Sequence, residues 1–579
     1  MSENPSEHRP ESSGALPGDA PPLRPEADRS EEPLMASIVP EAVPVERPPF
    51  GGVSGGYCPP PLPRDDRDLP PPGWRELIAV VALVVLSDLT VYRGNGFAGY
   101  ALLFLVAPAL FVFGSHRPHF GWAFRIVGFM LLTLSAKLLW HGSWLLVGIG
   151  FALLLATALA LSGRSPYVLA VLEFATRTVW SGLERVEVYG RKYLGPGAAK
   201  TGGQWLNVAM PVVAFLVFGM IFVVANPDVL GYVSENLEIV FTHLHEWLAT
   251  FSMGEVVFWA VVFWVSLGLL RPSIGRLVTP DHEPFEDTIP AGAAEPAPFY
   301  AAYRNTLATV IVLFAVYLIF EFNTLWFHVF PPGFYYSGYA HEGAAWLTFA
   351  LALATAMLSF IFGGQTIRDP RVAQLRRLAW IWSAQNFILA VAVYNRLGIY
   401  IGFNGMTRMR IVGIFGMTAV VVGFILVLRK IARNRSFAWL LRGHLLTVAV
   451  AVYLFALTPL DAIVCRYNTR RILAGDLKPS VQITEHPISA EGILALRPLL
   501  KCDDPIIREG VRALLAQRDQ EAEALVKEQT RLGWTAYQMA DHRALREFRA
   551  GRADWNTFAS EADRQAAYDA FRSYAYQWY

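Results

Sequence analysis

Charge is scarce in this sequence: 17% of its 579 residues are Asp, Glu, Lys or Arg, against 54% hydrophobic and 13% aromatic. A soluble chain of this size carries about 25% charged residues, so the deficit marks a polytopic membrane protein. There is no excess of either sign, with 49 basic against 48 acidic side chains, which removes nucleic acid from the expected partners. The three cysteines, Cys58, Cys465 and Cys502, form no CxxC pair, so neither a zinc nor an iron–sulfur site is expected.

Other signatures of chemistry are missing too. No GxSxG marks a nucleophile elbow. His243, His245 and Glu246 invite a metal, yet helical residues two apart point to different faces, and no HExxH accompanies them. GPGAAKTGG at 195 to 203 has Ala199 where a phosphate loop needs glycine before its lysine, and no strand precedes it. The expectation is no cofactor, no metal and no catalytic residue.

What is present is a succession of apolar runs. Residues 1 to 73 come first, rich in Pro, Glu, Ser and Arg, and read as a disordered cytoplasmic tail. No basic stretch followed by an apolar core marks a signal peptide, so the first span is expected to insert uncleaved. A bilayer core needs roughly 17 to 25 apolar residues per helix. About eleven runs qualify, near 76–92, 98–114, 121–140, 144–162, 204–225, 254–270, 304–323, 344–362, 378–395, 411–428 and 443–460. The first two are short, and the third carries Arg125 and Lys137.

Lys and Arg in the loops set the orientation. They cluster in the loops after spans four, six, eight and ten, whereas 226–253 and 324–343 have none. The pattern predicts an all-α multi-pass membrane protein with its N-terminus in the cytoplasm. Segments 166–190 and 229–251 have apolar residues at helical spacing and read as amphipathic helices, lying in the interface or packed on the bundle. Residues 461–579 read as a small helical C-terminal module on the periplasmic side, with Asp504 and Pro505 starting one helix. There Cys465 and Cys502 have either a disulfide or two buried thiols open to them.

With this topology the costly polar groups near the spans fall toward one side. They are Asp88, Asn95, Glu321, Glu342, Thr407, Arg408, Arg410, Asp461, Arg466 and Asn468. Arg408 and Arg410 stand out because they lie outside, against the general bias. Thr407 reads as an N-cap, so the two arginines diverge by about 200° at the start of a helix. Arg410 is the expected buried one, paired with Glu342 or Asp461. Such pairs lock helix packing or line a site. Three functions stay open. One is a non-enzymatic envelope scaffold or sensor, touching the lipid bilayer and an envelope protein partner. Another is a transporter or channel, although no matched pair of broken helices points to one. The third is an enzyme on lipid-linked substrates, with Glu342 or Asp461 as base and arginines on phosphate.

GMTRMR at 405 to 410, AHEGAAWLT at 340 to 348, DAIVCRYNTRRI at 461 to 472 and DWNTF at 554 to 558 together resemble a bacterial multi-pass membrane family of unknown function, the 4173 type, and more distantly the 4153 type. The resemblance covers roughly residues 76 to 560. The chain departs from that pattern at Asn404, Cys465 and Thr458-Pro459-Leu460. The resemblance implies the multi-pass architecture and supplies no reaction.

Overall fold

The structure is a computed structural model that describes residues 72–193, 252–271, 296–323, 336–363, 366 and 369–578. Five helices come first: α1 (Trp74–Ser87, continued by a π turn, Asp88–Tyr92), α2 (Phe97–Gly114), α3 (Trp122–Trp140), α4 (Trp144–Leu161) and α5 (Val168–Tyr193). Then follow α6 (Met253–Leu270), α7 (Tyr300–Glu321), α8 (Tyr336–Ile361), α9 (Val372–Asn404), α10 (Arg408–Arg433) and α11 (Phe437–Leu457). Among the described residues eight of these, α2, α3, α4, α6, α7, α9, α10 and α11, are long and apolar enough to cross a membrane. The expected tail up to residue 71, the run 204–225 and the segment 229–251 lie outside the described residues.

The helices begin and end where local chemistry dictates. Ser143, Thr407 and Ser436 each accept a bond from the amide three residues on, at 3.4, 3.3 and 3.2 Å, starting α4, α10 and α11. Asn434, in the left-handed region at φ 49°, stops α10. Large apolar side chains such as Phe129, Val312, Val316, Ile319 and Phe360 are exposed. Such a surface suits hydrocarbon rather than water, since backbone polar groups are satisfied within each helix.

One apolar core joins α1 to α5 and reaches Tyr453 of α11, and a second joins α7, α8, α9, α10 and α11. The Tyr453 hydroxyl ties α11 to α3, donating to the Met130 carbonyl at 3.0 Å. In α5 the buried positions are Ala170, Phe174, Thr178, Ser181, Arg185 and Tyr189, while Leu172, Val179 and Val186 are exposed. The helix therefore packs its more polar stripe inward and turns aliphatic side chains outward. A Cβ on Gly268 would stand 2.4 Å from the Thr178 carbonyl, and one on Gly182 2.3 Å from Trp264. Small residues thus bring α5 close against the last turns of α6. Arg271, just past α6, stands 5.9 Å from the Tyr189 ring, so α5 stays beside one end of the bundle from Thr178 to Tyr189.

After α11 come α12 (Leu460–Leu473), α13 (Val481–Glu485), α14 (Ala490–Ile493), α15 (Pro505–Leu532), α16 (Met539–Trp555) and α17 (Glu561–Ala575), joined by 3-10 turns. They enclose a core of their own that includes Ile472, Leu496, Val511, Phe548, Trp555 and Phe571. Asp504 caps α15 through the amides of Ile506 and Ile507, at 2.9 and 3.1 Å, with Pro505 in the first turn.

Candidate functional site

The C-terminal helices grip one end of the bundle, turn by turn. Between α1 and α2, the Asn95 amide donates to Thr535 Oγ1 at 3.0 Å and its side chain to the Leu532 carbonyl at 3.2 Å. Between α3 and α4, the Gly142 amide donates to Gln538 Oε1 at 2.6 Å, and Gln538 Nε2 donates to the Leu138 carbonyl at 3.1 Å. Between α9 and α10, Asn468 holds both sides of the Met406 peptide, accepting from its amide at 2.7 Å and donating to its carbonyl at 2.9 Å. These turns would otherwise leave partly buried peptide groups unsatisfied.

The turn before α10 places the two arginines. Gly405 ends α9 at φ +86°, and a Cβ there would meet Asn468 Oδ1 at 2.7 Å and Pro479 Cβ at 2.8 Å. Only glycine fits both the angle and the space. Thr407 then caps α10, so Arg408 and Arg410 leave on different sides. Arg408 donates through Nε and Nη2 to the two oxygens of Asp461, both at 2.5 Å, and through Nη2 to the Pro487 carbonyl at 2.8 Å. Asp461 Oδ2 also accepts from the Ser489 amide at 2.8 Å. Burial alone would raise the Asp461 carboxyl, but the Arg408 and Ser489 bonds hold it below its ordinary value.

Arg410 is the buried arginine, at 6% exposure, and one of its two expected partners is taken by its neighbour. Asp461 belongs to Arg408, and the Glu342 side chain on α8 lies outside the described residues. The Arg410 guanidinium instead lies 3.9 Å from the centre of the Tyr400 ring and donates to the Gly405 carbonyl. The reason is geometric: α12 starts beneath the Arg408 face, whereas Arg410 turns toward the C-terminal end of α9. Carbonyls and a ring face favour a cation there.

The other predicted residues fall into separate places. Glu321 and Arg396 form a buried ion pair between α7 and α9, with side-chain exposures of 1% and 2% and an Nε–Oε1 distance of 2.8 Å. Tyr317 completes it, donating to Glu321 Oε2 at 2.9 Å. Asp88 accepts from Trp259 Nε1 at 2.9 Å and pairs with Arg93 at 3.0 Å, and Arg93 also meets Glu255 at 2.5 Å. Arg466 is exposed. The Cys465–Cys502 disulfide is not formed: both are free thiols buried in the same apolar core, where they pack as small hydrophobes. Burial, with the Asp461 charge, pushes the Cys465 thiol up to about 12.

Sequence reasoning missed the residues that complete the Arg408–Asp461 neighbourhood. Lys137 forms an ion pair with Glu491, both largely buried. Together with His141, Ser143, Arg408, Asp461 and Ser489 they line a cavity of about 280 Å³ between the ends of α3 and α11 and the starts of α4, α10 and α12. The available signal was Lys137 itself, a cation inside an otherwise apolar span.

Among the described residues no cluster of His, Cys, Asp and Glu is arranged to hold a metal. No curated protein and no solved structure matches the chain. Of the two families whose motifs it resembles, the second is the one that matches: the profile described as "Domain of unknown function (DUF4153)" covers residues 77–497, from α1 through the Arg408–Asp461 contact to Glu491 and the turn after α14. That span is well over half of the chain, and the protein therefore belongs to the DUF4153 family.

Proposed function

We propose that this protein is a non-enzymatic scaffold or sensor of the bacterial inner membrane, presenting its C-terminal helices as a fixed platform on the periplasmic face. The observation that supports this best is the turn-by-turn grip of Asn468, Thr535 and Gln538 on one end of the bundle. A platform held at so many points keeps its outer surface in one orientation for an envelope protein partner.

Eleven crossings fit the geometry. The His119 amide reaches the Leu161 carbonyl at 2.9 Å, and Glu76 meets Arg271 at 2.5 Å, so the start of α1 and the ends of α4 and α6 gather opposite the platform. Tyr92 meets Ser252 at 2.8 Å on the platform side. Between Leu161 and Ser252 the sequence offers 204–225 as an apolar run long enough for a further crossing. The Lys and Arg bias then sets the N-terminus in the cytoplasm.

Against a transport role, the carboxylates Glu321, Asp88 and Asp461 are each committed to an arginine of the same chain. Proteoliposomes holding the full chain test the choice. The scaffold reading expects no solute or ion flux above protein-free vesicles, while flux abolished by Arg408→Gln would establish a pathway and overturn it.

A further inference from the structure

The cavity beside Arg408 has more hydrogen-bonding capacity than its own ion pairs consume. Arg408 spends Nε and Nη2 on Asp461 and Pro487, leaving both Nη1 hydrogens unused among the described residues. Lys137 spends one of its three donors on Glu491 Oε1, and Glu491 Oε2 stays available as an acceptor. No hydrogen bond among the described residues reaches the His141 ring. Donors and a carboxylate acceptor therefore face one space of about 280 Å³.

The net charge of the lining selects the ligand class. Two cations, Lys137 and Arg408, stand beside two carboxylates, Asp461 and Glu491. A lone anion would gain from the first pair and be repelled by the second, and a lone cation the reverse. A ligand carrying both signs satisfies both. Leu145, Leu146, Phe455, Ala456 and Leu460 give the same cavity an apolar wall beside the polar Ser143, Thr458 and Ser489. It sits where four helices long enough to span a membrane, α3, α4, α10 and α11, end or begin, which is the depth of lipid headgroups.

We propose that this cavity binds the phosphate–ammonium headgroup of a membrane lipid of the phosphatidylethanolamine type. The phosphate oxygens take the Arg408 Nη1, Lys137 and His141 donors. The primary ammonium, with three N–H groups, donates to Glu491. A choline headgroup has the same charges but no N–H to donate, and a glycerol headgroup has no cation. The proposal rests on the membrane placement of the bundle, not on any partner protein.

The test uses the purified full chain, incorporated into vesicles of equal parts phosphatidylethanolamine, phosphatidylcholine and phosphatidylglycerol, re-extracted gently, with the retained lipid measured by native mass spectrometry. Retention of phosphatidylethanolamine is expected at about fivefold or more over each of the others, a difference one lost charged hydrogen bond can supply. Leu145→Trp, which fills the mouth without touching an ion pair, is expected to abolish that preference. Equal retention of the three lipids, or a preference untouched by Leu145→Trp, overturns the site. Soluble phosphoethanolamine that displaces the lipid as effectively as added vesicle lipid overturns the lipid origin of the ligand. A chain that fails to enter vesicles at all refutes the membrane placement instead, so the two failures are distinguishable.

Discussion

Arg408 and Asp461 meet through two parallel N–H···O contacts, both 2.5 Å long, that join the first residue of one long apolar helix to the first turn of the helix following α11. The pair is lopsided: the arginine side chain is 43% exposed and the aspartate 8%. Loss of Arg408 therefore strands a buried carboxylate, which costs more than the pair itself contributes. Arg408→Ala is expected to destabilise the chain by about 1–3 kcal/mol, and a second change, Asp461→Asn, is expected to restore part of that. Thermal melts in detergent check it. No rescue in the double variant would show that the two residues are not coupled.

Arg410 behaves differently because no carboxylate among the described residues depends on it. Arg410→Ala removes the cation over Tyr400 and the bond to the Gly405 carbonyl, and Asp461→Asn is expected to give no rescue at all. Arg410→Lys, which lacks the planar face that stacks on Tyr400, is expected to recover little. The same melts decide it, and full recovery by lysine would contradict the stacking role.

Glu321 and Arg396 are buried together between α7 and α9, so either single loss breaks a buried pair, at a cost of roughly 3–5 kcal/mol. The paired change Glu321→Leu with Arg396→Met removes both charges and is expected to be far milder than either single variant. Folded yield after size-exclusion chromatography reads the difference. Yields falling additively would mean that the two charges do not compensate each other.

Gly405→Ala is expected to loosen the whole α9–α10 turn, because the left-handed backbone at φ +86° and the contact with Asn468 both refuse a side chain. A cost of about 1 kcal/mol from the backbone alone is a lower bound. Protease cleavage near residue 405 should accelerate relative to wild type, and an unchanged cleavage rate would contradict the fit.

Asp461 also sets a pH dependence. Its folded carboxyl lies below the ordinary value, burial notwithstanding, because Arg408 and Ser489 favour the charged form. The stabilisation is thus fully present above the unfolded carboxylate range, near pH ~4, and is lost as pH falls through the lower folded value. Protection of the C-terminal helices from protease should fall on acidification, and less so in Asp461→Asn. An identical acid profile in that variant would place the titration elsewhere.

Eight of the spans were legible because length and apolarity alone select a membrane helix, and the divergence of Arg408 and Arg410 was legible from Thr407. Their partners were not. Asp461 and Arg410 fall on the same side of the expected topology, which suggested a pair, but only the start of α12 under the Arg408 face decides which arginine takes the carboxylate. Lys137 looked like a defect in a span because its reason, Glu491, comes 354 residues later. In α5 the aliphatic stripe drew attention, while the packed stripe runs through Thr178, Ser181 and Gly182, which carry no hydrophobic signal. Two of the four segments that suggested a family, GMTRMR and DAIVCRYNTRRI, touch each other through Asn468–Met406 and Asp461–Arg408.

The most direct test of an external platform is sided thiol labelling in spheroplasts. Glu561→Cys places a thiol on an exposed position of α17, with a side-chain exposure of 86%, and Arg377→Cys places one near the start of α9 at the opposite end of the bundle. Cys58 is replaced by Ser in both variants, and the native Cys465 and Cys502 thiols, both buried, stay silent. A membrane-impermeant maleimide is expected to label Glu561→Cys in sealed spheroplasts and Arg377→Cys only after permeabilisation. Labelling of Arg377→Cys in sealed spheroplasts, with Glu561→Cys protected until lysis, would contradict the external platform.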